Sequence, residues 1–279
     1  MTYSSSFRYS CALIGLAGTA LAPAMAQSFF ESGAAGSFST TNWGVDRYAP
    51  AGWTPGATDP LSGTALRIDL SNADRADLRP SGYSGAFYNT QGRQRAAGIT
   101  GAWEVGGELF IPSDWETAGN LRRSDLWTRD ANPVEGNAFY PIVGFINNDP
   151  ADGFNPLASG FSPRFRVWDS STGWVDLATT VNYGAYNAFR IVNTTTSHDF
   201  YINGALVQSL SGAAYSEAGF EGLQTAFVEA YNFGNADNAG SLPDSGYEVY
   251  WRNVYASVPA PGAIALLGLG GLVCTRRRR

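Results

Sequence analysis

The sequence predicts an all-β protein built as a two-sheet antiparallel jelly-roll sandwich, and three observations carry the prediction. Between residues 27 and 257 apolar and polar residues alternate, with no convincing helical spacing. Clusters of Gly, Pro, Asn, Asp and Ser cut these runs into short pieces. Asn203-Gly204 sits between two of them and supplies the positive φ angles of a two-residue hairpin. Many short strands joined by long polar loops stack as antiparallel sheets rather than as a parallel α/β fold.

Along the chain, 65–70 places Leu66, Ile68 and Leu70 on one face and Arg67 and Asp69 on the other. Strands follow at 86–90, 103–111, 125–129 and 140–147. Arg164–Asp169 alternates Phe165 and Val167 with Arg164, Arg166 and Trp168. Further strands are expected at 173–178, 188–193, 198–203, 205–210 and 223–233, with a short helical turn within 212–219. In the closing strand, 247–255, Tyr247, Val249, Trp251 and Tyr255 are expected on one face. Neither an internal repeat nor a composition break divides 27–257, which reads as one domain.

Five segments together resemble the concanavalin A-like (laminin-G-like) sandwich family. They are Phe165-Arg166-Val167-Trp168, Gly173-Trp174-Val175-Asp176-Leu177, Phe189-Arg190-Ile191-Val192, Phe200-Tyr201-Ile202-Asn203-Gly204-Ala205-Leu206-Val207 and the closing strand. The resemblance implies a jelly roll and leaves lectin, adhesion, glycosidase and lyase roles all open.

The two ends read differently. Residues 1–26 form a signal peptide: Arg8, an apolar run from Cys11 to Leu21, and a small-x-small site at Ala24-Met25-Ala26 that makes Gln27 the first mature residue. Residues 258–279 begin with Val258-Pro259-Ala260-Pro261. An apolar run from Gly262 to Thr275 follows, including Leu266, Leu267, Leu269 and Leu272, and then Arg276, Arg277, Arg278 and Arg279. A 14-residue helix covers ~21 Å, short of the ~30 Å hydrocarbon core. Such a segment suits a transient hold with the arginines cytoplasmic. The tail is similar to the PEP-CTERM sorting signal of bacterial exported proteins, with Ala260 where that signal usually has Glu. The similarity implies an exosortase-type membrane protease as partner, and release to the cell surface or extracellular matrix after transient inner-membrane anchoring.

All 18 basic residues are arginines. Five lie in the two ends, leaving 13 against 24 acidic residues in the domain, a formal charge of −11. That balance excludes nucleic acid as a partner, which needs a basic face. The two cysteines, Cys11 and Cys274, lie in the ends, so the domain has no disulfide and no Cys-metal site.

Catalytic signatures are sparse. His198 is the single histidine and is expected to face solvent at the start of a hairpin strand. Glu104 and Glu108 share a face, but four residues at ~3.3 Å separate their backbones by ~13 Å. The Glu-x-Asp-x-x-Glu pattern of concanavalin A-like glucanases is absent, since Gly106 follows two after Glu104. Carboxyl pairing between strands stays open. Asn147, Asn148, Asp149 and Asp152, and separately Asn235, Asp237, Asn238 and Asp244, carry the oxygen donors Ca²⁺ takes. They lack EF-hand spacing, and turn formation is the preferred account of them, with Ca²⁺ the alternative. No other cofactor is implied. Trp43, Trp53, Trp115 and Trp174 sit beside Gly, Pro or Asp and are the candidate platforms for stacking on sugar rings. The resulting expectation is an exported carbohydrate-binding or structural module. A secreted polysaccharide-degrading enzyme, glycosidase or lyase, is the alternative on the same fold.

Overall fold

A computed structural model describes residues 27–74, 89–117, 122–131, 138–147, 163–169, 172–194, 196–211, 222–232 and 246–259. In order the strands are β1 (Gln27–Glu31), β2 (Ala35–Phe38), β3 (Gly44–Asp46), β4 (Gly52–Thr58), β5 (Thr64–Leu70), β6 (Thr90–Thr100), β7 (Trp103–Ile111), β8 (Arg123–Ala131), β9 (Ala138–Phe139), β10 (Ile142–Ile146), β11 (Arg164–Asp169), β12 (Gly173–Leu177), β13 (Ala185–Asn193), β14 (Ser197–Ile202), β15 (Ala205–Ser211), β16 (Gly222–Tyr231) and β17 (Tyr247–Ser257). The first sheet runs β15-β14-β13-β7-β17-β5-β4, with β1 also paired to β17. The second runs β12-β11-β10-β8-β16-β6-β3, with β9 also paired to β8. Every pairing is antiparallel. This is the two-sheet jelly-roll sandwich expected from the alternation. The described residues include no helix beyond two short 3-10 turns, Asn72–Asp74 and Ser113–Glu116.

Alternation decides what meets between the sheets. Leu66 and Ile68 of β5, Val105 and Leu109 of β7, and Phe189 and Ile191 of β13 face Leu126 of β8, Phe165 and Val167 of β11, and Val228 of β16. Phe165 meets Phe189 edge-to-face at 5.5 Å, and Phe189 in turn meets Trp251. Polar groups that enter this layer form links between the sheets. Trp251 Nε1 donates to Ser124 Oγ at 2.8 Å, and Ser124 Oγ donates to the Glu229 carbonyl.

His198 does not face solvent. It is fully buried between the sheets. Its Nδ1 lies 3.1 Å from Asp169 Oδ2 and its Nε2 lies 3.0 Å from Asn193 Nδ2. Asn193 Nδ2 also donates to Asp130 Oδ2, which accepts from Trp103 Nε1 at 2.8 Å. A neutral ring protonated at Nδ1 satisfies both contacts, donating to Asp169 and accepting from Asn193. The network joins β7, β13 and β14 of the first sheet to β8 and β11 of the second.

The closing strand corrects a second expectation. Tyr247, Val249 and Trp251 do share a face, but the register shifts between Arg252 and Tyr255, where Asn253 takes φ +51°. The bulge turns Val254 and Ala256 into the core and sends Tyr255 to the outer face. The Asn203-Gly204 hairpin forms as expected, with φ +50° and +82°.

Candidate functional site on the outer face of the second sheet

Four strands of the second sheet repeat one local pattern, a charged and an aromatic residue two positions apart. They are Asp125-x-Trp127 on β8, Arg166-x-Trp168 on β11, Trp174-x-Asp176 on β12 and Phe227-x-Glu229 on β16. The period of two puts both members on the face turned away from the core. Register then aligns them across strands. Asp46, Gly92, Glu229, Asp125, Gly144, Arg166 and Asp176 are successive cross-strand partners, forming one row over seven strands. Phe227, Trp127, Ile142, Trp168 and Trp174 form a second row beside it. Two residues along a strand separate the rows by ~6.7 Å.

The glycines of the charged row make room for its carboxyl groups. A Cβ on Gly92 would lie 2.8 Å from Glu229 Cδ, and one on Gly144 would lie 2.0 Å from Asp125 Oδ1. Glu229 therefore leans over Gly92 toward Asp46, whereas Asp125 leans the other way over Gly144. Arg47 Nη2 closes the first end, 2.8 Å from Asp46 Oδ2 and 3.7 Å from Glu229 Oε2. Its backbone sits at φ +62°, in the left-handed region. Complete burial, with the Asp46 carboxyl alongside, holds the Glu229 carboxyl well above the usual carboxylate range, and Arg47 offsets this only in part. Burial thus strengthens the hold of Glu229 on its proton.

Asp125 is also fully buried. Its Oδ2 accepts from Arg123 Nε at 2.5 Å, while its Oδ1 has no hydrogen-bond partner. At the far end Arg164 Nε donates to Asp176 Oδ1 at 2.6 Å. Arg166 and Arg123 stack over the Trp174 ring at 3.8 and 4.9 Å. In the aromatic row Trp168 meets Trp174 at 5.4 Å, and Trp127 and Tyr140 meet Phe227.

The four tryptophans chosen from sequence are not exposed platforms. Trp43 is fully buried among Phe29, Phe38 and Trp53, and its Nε1 donates to Glu31. Trp53 is half-buried against the same group and donates to the Phe38 carbonyl. Trp115 is buried and stacks on Phe145. Trp174 lies on the outer face but is covered, packed under two guanidinium groups and Trp168. Aromatic or arginine side chains pack against each of the four.

Of the calcium candidates, Asn147 is buried and bonded within the protein, accepting from the Arg122 amide and donating to the Thr117 carbonyl. Asn148, Asp149, Asp152, Asn235, Asp237, Asn238 and Asp244 lie outside the described residues. So do Ala24, Ala26 and the sorting tail from Ala260 onward, and the turn expected within 212–219. Among the described residues no group of three or more His, Cys, Asp and Glu could hold a metal, and no helix is long and apolar enough to cross a membrane. Glu104 and Glu108 share the outer face of the first sheet, where Arg190 and Arg252 pair with them.

No protein-family model matches the chain, and no curated protein matches it in sequence. Among solved structures it is similar to an endo-β-1,4-glucuronan lyase from the fungus Trichoderma reesei, at 12% identity and a TM-score of 0.49, over 83% of this chain and 95% of the other. It is also similar to alginate lyase Aly36B, at 13% identity and a TM-score of 0.47, covering 85% and 96%. A Bacillus licheniformis β-glucanase matches at 12% identity and a TM-score of 0.43, covering 82% and 97%.

Proposed function

We propose that this chain is an exported protein that cleaves a polysaccharide, and that the charged row of the second sheet is its catalytic site. One observation carries the reading: Glu229, a fully buried carboxyl whose hold on its proton is strengthened by burial, is the cross-strand partner of the buried Asp125, whose Oδ1 has no hydrogen-bond partner. Hydrolysis of a glycosidic bond requires two carboxyl groups, one to donate a proton and one to accept one. Glu229 gives its proton to the leaving oxygen as the C–O bond breaks. Asp125 Oδ1 takes a proton from the water that attacks the anomeric carbon. The two groups lean apart over Gly92 and Gly144, which widens their spacing from the ~5 Å of cross-strand neighbours toward the ~6.5–9.5 Å of an inverting hydrolase. Arg123, Arg164 and Arg166 line the same face with hydrogen-bond donors.

Export rests on the sequence of the two ends, with an exosortase-type protease as partner for the tail. Reducing-end release from a panel of neutral and uronate polysaccharides tests the catalytic reading, with Glu229→Gln as the control that keeps shape and removes the acid. A second reading, glycan binding without cleavage, is favoured by the complete burial of Glu229 and Asp125. Binding by the wild type, with no product from any polysaccharide, would decide for it.

A further inference from the structure

The outer face of the first sheet carries an open cavity of about 260 Å³ that the catalytic reading does not use. It is small beside the ~300–1,000 Å³ of pockets for drug-sized ligands. Its floor is a cross-strand row: Phe30 pairs with Tyr255, Tyr255 with Gly106, Gly106 with Arg190, and Arg190 with Tyr201. The bulge at Asn253 turns Tyr255 onto this face. The bare Gly106 lets its ring lie down on the sheet, since a Cβ there would be 2.5 Å from Tyr255 Cε1. Phe30 is 50% exposed. The Arg190 guanidinium lies 3.9 Å above the Tyr201 ring and 3.6 Å from Glu104 Oε2. Glu108 accepts from Arg252 Nε at 2.7 Å and from Asn253 Nδ2 at 3.0 Å, leaving a lone pair on each oxygen.

We propose that this cavity binds one neutral sugar unit of a glycan chain, as a second glycan site on the face opposite the catalytic row. Aromatic rings suit the apolar C–H face of a sugar, and Arg190, Glu108 and Asn253 supply fixed donors and acceptors for its hydroxyls. The two arginines are matched by two glutamates, so the site carries no net charge and selects a neutral ligand over a uronate. The choice of a glycan rests on the polysaccharide reading above. The site itself does not need the catalytic row to work.

The test titrates the full chain, as wild type, Glu229→Gln, Phe30→Ala and Tyr201→Ala, with hexamers of β-1,4-glucan, β-1,3-glucan, xylan and oligo-alginate, followed by calorimetry. A neutral hexamer should bind, Glu229→Gln should bind it equally, and Phe30→Ala and Tyr201→Ala should each weaken it about tenfold. Turnover in Phe30→Ala should equal the wild type. Such binding in a protein that cleaves nothing would overturn the catalytic reading and keep this one. The proposal is overturned if no neutral hexamer binds, if only alginate binds, or if binding is lost in Glu229→Gln and kept in Phe30→Ala. It is overturned equally if light scattering shows a dimer that Phe30→Ala dissolves, because a second copy would then fill the cavity.

Discussion

The two outer faces of the sandwich use the same residue types to opposite ends. On the second sheet arginines, carboxyls and aromatics are packed until Glu229 and Asp125 have no exposure, and burial itself raises the pKa of Glu229. On the first sheet Arg190, Arg252, Glu104 and Glu108 pair off beside Phe30, Tyr201 and Tyr255, and a cavity stays open. The difference begins with where the glycines sit. Gly92 and Gly144 are overlaid by the carboxyl groups of Glu229 and Asp125, whereas Gly106 is overlaid by the flat ring of Tyr255. The Glu229 carboxyl, laid into a closed row, has its pKa raised, which is a chemical device. A ring laid flat in an open row makes a surface, which is a recognition device.

The contrast can be broken most forcefully at Glu229. Glu229→Gln should lower turnover by ~10²–10⁴-fold, the range for losing a general acid, and leave glycan binding at the first sheet unchanged. A loss of both functions would mean the faces are not independent. His198→Ala should come next, because it leaves Asp169 without its imidazole partner between the sheets. A destabilisation of about 3 kcal/mol by urea unfolding is expected. A change under ~0.5 kcal/mol would show that the network does not hold the faces in register.

A pH series tests burial at Glu229 directly. Its native carboxyl keeps a proton that the unfolded chain has released above the ordinary value of 4.5. Its contribution to stability is therefore full below that value and falls as pH rises toward the elevated native one, by at most ~1.4 kcal/mol per pH unit. Glu229→Gln should lack this fall and gain on the wild type between pH 5 and 7; parallel curves would contradict the assignment. The smallest effect is expected at Gly106→Ala, where the added methyl lifts the Tyr255 ring. It should weaken neutral-glycan binding a few-fold, with a stability cost of about 1 kcal/mol and turnover intact.

Much of the sandwich was legible because apolar core-facing residues alternate with polar or aromatic ones along its strands. In Thr64–Leu70 and Arg164–Asp169 the alternation named both the limits and the core-facing side chains nearly residue for residue. Strands without that contrast were not legible. Ala35–Phe38 and Gly44–Asp46 are short and rich in small residues, and Gly52–Thr58 carries Pro55, which an edge strand tolerates. Thr90–Thr100 is polar on both faces. Tyr255 was misplaced because a bulge resets the period of two, and nothing at Asn253 marks one in advance. His198 was misplaced because its polarity is satisfied by Asp169 and Asn193, partners distant or hidden in the linear pattern. The charged row escaped for a related reason. A search for paired carboxyls along one strand cannot see a row assembled by register from seven. The recurring charged-x-aromatic step at Asp125, Arg166, Asp176 and Glu229 was the available signal.

The pairing of β1 with β17 has a mechanical consequence. Gln27, at the start of one strand, lies opposite Ser257, at the end of the other, so the polypeptide enters and leaves the sandwich at a single corner. A pull that separated those two points would load the ladder across its rungs. Its hydrogen bonds would then open one after another, like a zip, rather than shearing together. Tension on a chain held at both ends would peel away β1, with Phe30 on it, while the second sheet stayed whole. The open cavity would be the first feature lost under load and the buried carboxyl row among the last.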